Sequence, residues 1–175
     1  MLTISQMIMR LLVALALGGI MGLERELVGK EAGIRTAMLV ASGAAIFAII
    51  GITLPALITS SPDAILDISA HNAGALNVIA NIVIGIGFLG AGLIIKTGEH
   101  VQGLTSAAVI WTTAALGTLA GIGLTQFSFY ATVIIASMLY LLRKTKISGH
   151  VTETIRAQIE EDIRKDIVKV SRIKK

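Results

Sequence analysis

Apolar residues in this chain come in long uninterrupted blocks, separated by short clusters of charge. Val101–Leu142 carries no charged residue over 42 positions, and Thr36–Pro62 carries none over 27. A membrane-spanning helix needs about 20 such residues, so the first block holds two spans and the second holds one. Asn72–Ile95 is also uncharged, and Leu2–Leu23 is interrupted only by Arg10. The pattern predicts five spans, roughly Leu2–Leu23, Thr36–Ile58, Ala75–Ile95, Leu104–Ile122 and Phe127–Leu142. The expected fold class is an all-α integral membrane protein of five transmembrane helices with a short cytoplasmic amphipathic helix at its C-terminal end. Residues 1–142 are expected to form the transmembrane domain and residues 143–175 a basic cytoplasmic tail.

Within the spans, small residues recur at helical spacing. Ala14, Gly18 and Gly22 are four apart, as are Gly117 and Gly121, and span three carries Gly85, Gly87, Gly90 and Gly92. Helix association in lipid is driven by close packing, so such stripes mark faces where backbones meet. Gly85-x-Gly87-x-x-Gly90 also matches the dinucleotide fingerprint. That reading needs a strand, a tight turn and an acidic residue roughly 20 positions on. Both flanks are apolar and Ser106–Val109 contains no acid, so the four glycines are expected to serve helix packing instead. Asn77, Asn81 and Gly85 share one face of span three, and Thr105 and Thr112 share one face of span four; together they are the expected intramembrane polar face. Hydroxyls in apolar helices commonly bond their own backbone. Trp111 falls mid-span, away from an interfacial belt, and is expected to pack between helices. Two readings of Arg10 stay open, snorkelling to the near interface or entering a buried ion pair.

Charge adds orientation. The chain is 15% charged with mean hydropathy +0.83, against about 25% charged in soluble domains. Its excess of positive charge lies in residues 143–175, which hold ten Lys/Arg and five Asp/Glu. Basic segments beside spans favour the cytoplasmic side and anionic lipid. Lys or Arg follows spans one, three and five, while the loops after spans two and four have neither. The expectation is an outside N-terminus and a cytoplasmic tail. The N-terminus lacks a basic leader, so span one is expected to be retained. In the tail, Ile147, Val151, Ile155, Ile159, Ile163 and Ile167 form one helical stripe. The tail has no aromatic residue to stack bases, which argues against nucleic-acid binding.

Candidate chemistry is sparse. There is no Cys, and His71, His100 and His150 share no helical spacing, so neither a thiolate nor a histidine metal site is expected. Asp63 and Asp67 stand one helical turn apart, a spacing too common to specify Mg²⁺. The densest charge in the membrane half is Glu24–Arg35. Its Glu24, Arg25, Glu26 and Arg35 are expected to form a cytoplasmic-rim network, read first as structural and alternatively as a site that receives an ion. No nucleophile–base set is visible, and neither an enzyme nor a cofactor is expected.

Four stretches then resemble the MgtC/SapB family of membrane proteins. They are Gly18–Glu26, Ala32–Val40 with Gly43-Ala44-Ala45, Gly85–Gly92, and Val101-x-Gly103-Leu104-Thr105 with Ala107, Ala108, Trp111 and Gly117. Many members have Arg where Asn77 stands, Gln where Asn81 stands and Ser where Ile84 stands, so a role that needs that Arg is not carried over. The resemblance implies a bacterial inner-membrane protein linked to growth in low Mg²⁺ and, in pathogens, to survival inside host cells. It implies a regulator that binds other membrane proteins, including the F-type ATP synthase; the alternative is a transporter or channel for Mg²⁺ or another ion. Some members carry an ACT-like cytoplasmic domain, for which residues 143–175 are too short. The partners expected are the bilayer and other membrane proteins; if the chain conducts, a homodimer or higher oligomer is expected, since five spans make a thin wall.

Overall fold

A computed structural model describes residues 2–58, 74–98 and 100–144. The expected tail helix, Asp63, Asp67, His71 and His150 lie outside the described residues. Among the described residues, five helices are long and apolar enough to cross a membrane: α1 (Ile4–Leu27), α2 (Ile34–Ile58), α3 (Gly74–Leu93), α4 (Leu104–Ile122) and α5 (Thr125–Lys144). Their ends fall within about four residues of those read from hydropathy. Two compact units divide the chain at Ala136/Ser137, and the packing that follows lies within residues 1–136.

Local chemistry sets the helix ends. Thr3 caps α1: its hydroxyl accepts from the Gln6 N–H, and the Gln6 side chain accepts from the Thr3 N–H. Between α3 and α4, where sequence alone gives only a loop, β1 (Ile95–Thr97) and β2 (His100–Gln102) pair antiparallel with Ile95 opposite Gln102 and Thr97 opposite His100. Gly103 then caps the start of α4 at φ +85°, where an added Cβ would run into the Leu93 carbonyl. A side chain there would be both strained and blocked, so only Gly lets the hairpin fold back this tightly.

The packed centre is made of small residues. Gly18 of α1 lies where a Cβ would come 2.6 Å from the Ala37 carbonyl oxygen of α2, and Gly22 where it would come 2.6 Å from the Ile34 Cα. On α4, a Cβ at Gly117 would stand 2.7 Å from the Ala41 Cα, and one at Gly121 2.6 Å from the Ala45 carbonyl oxygen. Ala14, Ala41, Ala45 and Ala120 form the buried cluster between these seams. These contacts run α1 antiparallel to α2 and α4 parallel to α2. The stripes of Ala14/Gly18/Gly22 and Gly117/Gly121 are therefore the surfaces on which three helices meet.

α4 is the most buried of the five, with Ser106, Val109, Ile110, Thr113, Leu116 and Ala120 all turned inward. Trp111 does not pack between helices as expected; it is 49% exposed. The inward face of α4 sits too close to neighbouring backbones to hold an indole, so the large residue takes the outer face. At the start of α5, Ser128 and Thr132 are fully buried, and the Ser128 hydroxyl donates to the Leu116 carbonyl at 2.8 Å.

Replacing Gly117 or Gly121 with Leu is expected to destabilise the protein by about 2 kcal/mol or more, because the neighbour is backbone and cannot yield. Gly43 faces open space, and Gly43→Ala is expected to leave stability unchanged or slightly raised. Denaturation of the purified variants in one detergent checks both; equal losses at Gly43 and Gly117 would contradict the packing account.

Candidate functional site

The end of α1 carries Glu24-Arg25-Glu26, and each residue takes a different task. Arg25 is only 5% exposed. Its Nη2 donates to the Ser106 hydroxyl of α4 at 3.2 Å, and its Nη1 stands 3.5 Å from Glu24 Oε2. That ion pair is close enough for attraction but is not aligned as a hydrogen bond, and Glu24 Oε2 and Arg25 Nε have no hydrogen-bond partner among the described residues. Glu26 points elsewhere: its Oε2 accepts from the Ile34 N–H at 2.8 Å. A carboxylate there satisfies one orphan donor and meets the positive end of α2. Arg35 is exposed and joins neither contact. The expected four-residue network is thus a buried Glu24–Arg25–Ser106 cluster plus a separate helix cap.

A second arginine of α1 acts at the opposite end of α4. Arg10 Nη1 donates to the Gly121 carbonyl at 2.8 Å, a group that the helix end would otherwise leave unsatisfied. Its guanidinium lies against Gly123, at φ +99°, where an added Cβ would meet Arg10 Nη2 at 2.7 Å. Its partner is a backbone carbonyl rather than a carboxylate, and the cation complements the negative end of α4. Arg10 and Arg25 therefore hold α4 at both ends. Sequence reasoning missed Ser106 and Gly121 as their partners, since the contacts span 81 and 111 residues.

The glycine motif of α3 behaves differently from the α1 and α4 stripes. Only Gly90 packs inside the chain, where an added Cβ would lie 3.7 Å from the Ala107 Cβ. At Gly85, Gly87 and Gly92 an added Cβ would meet nothing within 4 Å, so the packing expected of them does not occur among the described residues. Beside Gly85 an open apolar groove of about 720 Å³ runs between α2 and α3, lined among others by Thr36, Gly43, Phe47, Asn81 and Leu89.

The expected polar face does not converge. Asn77 and Asn81 are exposed on α3, and Thr105 is exposed at the start of α4. Thr112 donates to the Ala108 carbonyl of its own helix at 2.8 Å. Asn77 precedes Gly90 by 13 residues, while Thr105 sits beside Ala107, the contact of Gly90. On antiparallel α3 and α4 that places Asn77 and Thr105 roughly 20 Å apart along the helices. Among the described residues, no group of three His, Cys, Asp or Glu stands together.

Among the described residues, five long apolar helices that meet on a glycine-lined core define a multi-pass helical membrane protein. The MgtC family model matches residues 11–147, and the chain belongs to that family. It is 41% identical to Protein MgtC of Salmonella typhimurium over 137 residues, covering 78% of this chain and 52% of the relative. Protein MgtC of Brucella abortus is 43% identical over 130 residues, covering 74% of this chain and 48% of the relative. An uncharacterized protein of Synechocystis is 37% identical over 138 residues, covering 79% of this chain and 50% of the relative. The chain spans about half the length of the curated relatives it matches. No solved structure matches it.

Arg25→Met is expected to cost about 3–5 kcal/mol, because it strands the Glu24 carboxylate away from water. Adding Glu24→Gln to Arg25→Met should recover a large part of that loss. Ser106→Ala removes one bond to a charged group and should cost about 1.5–3 kcal/mol. Denaturation in detergent tests the set, and strictly additive losses in the double variant would contradict a coupled pair.

Proposed function

We propose that this chain is a bacterial inner-membrane protein of MgtC type that supports growth under Mg²⁺ limitation by regulating other membrane proteins, the F-type ATP synthase among them. Membership of the MgtC family supports the class. The single observation that carries regulation over transport is the use made of intramembrane charge: Arg10 and Arg25 both fasten α4, and no carboxylate stands within α2 to α5. Mg²⁺ dehydrates reluctantly and is normally held by carboxylates, so these helices offer it little. The role is non-catalytic and needs no cofactor. In this reading the N-terminus is outside and the Glu24–Arg35 segment and residues 143–175 face the cytoplasm, as the distribution of Lys and Arg favours. In a pathogen the same role would support survival inside host cells.

The alternative is a conduit for Mg²⁺ or another ion, for which Asn81 on the open groove is the one favourable observation. To test regulation, the chain is expressed in a bacterium deleted for its own MgtC and grown in limiting Mg²⁺. Restored growth, with photocrosslinks from α2 or α3 to an ATP synthase subunit, is the expected result. A properly inserted chain that neither restores growth nor crosslinks to the synthase would overturn the proposal.

A further inference from the structure

Asn81 is a polar side chain of α3 that the fold leaves unanswered among the described residues. It sits seven residues into α3, roughly 10 Å from that end of the helix, well inside a hydrocarbon core about 30 Å thick. Its amide is exposed on the groove between α2 and α3 and makes no hydrogen bond among the described residues. An unsatisfied polar group in hydrocarbon costs several kcal/mol, and a lipid tail offers it neither donor nor acceptor. One turn further along α3 the backbone is bare at Gly85, and across the groove it is bare at Gly43, with open space beside both. The site therefore combines an unpaired amide with room for another helix to approach.

We infer that the occupant is a second copy of this chain, whose α3 lies in the groove while its own groove receives α3 in return. Two copies inserted the same way are related by a two-fold axis along the membrane normal. Identical residues then lie at identical depth, so Asn81 necessarily finds the partner amide at its own level. An amide both donates and accepts, which makes Asn81 self-complementary in such an isologous contact. A foreign helix would need a polar group placed at that same depth, and a lipid would leave the amide unpaired. Gly85 and Gly43 provide the close approach that membrane helices require. The inference does not depend on whether the protein regulates or transports.

The test uses the full chain in lipid vesicles, over a range of protein-to-lipid ratios, with oligomeric state read by single-molecule photobleaching. The wild type is expected to dimerise, Asn81→Leu to weaken the dimer roughly threefold to fifteenfold, and Asn81→Gln, which keeps the amide, to retain most of it. Because the chain has no Cys, Val78→Cys in the groove and Leu12→Cys on the outer face of α1 report position. Oxidation should trap a dimer at Val78→Cys and not at Leu12→Cys. A wild type that stays monomeric at every ratio, with or without co-purifying lipid, overturns the inference. So does a dimer that Asn81→Leu leaves unchanged, or one trapped only at Leu12→Cys.

Discussion

The close meeting of α1, α2 and α4 is the contact on which the rest of this molecule depends. In a bilayer an apolar side chain gains nothing by exchanging lipid for another helix, so cohesion must come from dense contact between backbones. Gly18 and Gly22, Ala37, Ala41 and Ala45, and Gly117 and Gly121 supply it. That proximity is also what brings the side chains of Arg10 and Arg25 within reach of the two ends of α4. A charge buried in lipid is costly unless it is paired. Here one arginine meets the Gly121 carbonyl and the other meets Glu24 and Ser106, so charge and packing fix the same helix by different means.

The spans were legible because a run of apolar residues long enough to cross hydrocarbon has few other uses. The small-residue stripes of α1 and α4 were legible too, since spacing of four defines a helix face. What spacing does not give is the surface that meets the face. Gly85 and Gly92 stand seven apart, two turns along one helix face, yet among the described residues they and Gly87 border open space. Arg10 defeated a side-chain reading because its partner is a backbone carbonyl. Glu26 reads with its charged neighbours because the hydropathy pattern starts α2 at Thr36, two residues past the Ile34 N–H that it caps. The hairpin at Ile95–Gln102 is built of three-residue strands, too short to leave a period in the sequence.

The proposed function rests on how the polar groups are divided. Those of α1 and of the inner face of α4 are consumed in holding the bundle together. Those of α3 are turned outward, beside a groove with bare glycine backbone on both walls. A core assembled this way is suited to contact with other helices more than to passing a hydrated divalent cation. The matched residues make up about half the length of the curated relatives.

Magnesium flux is the most direct test of that division. Purified protein, shown folded and inserted in sealed liposomes, would be loaded with an internal Mg²⁺ indicator and given a Mg²⁺ gradient. The account predicts uptake no faster than in empty vesicles, for the wild type and for Asn81→Leu alike. Uptake by the wild type that disappears in Asn81→Leu would contradict it and would make the α2–α3 groove an ion path.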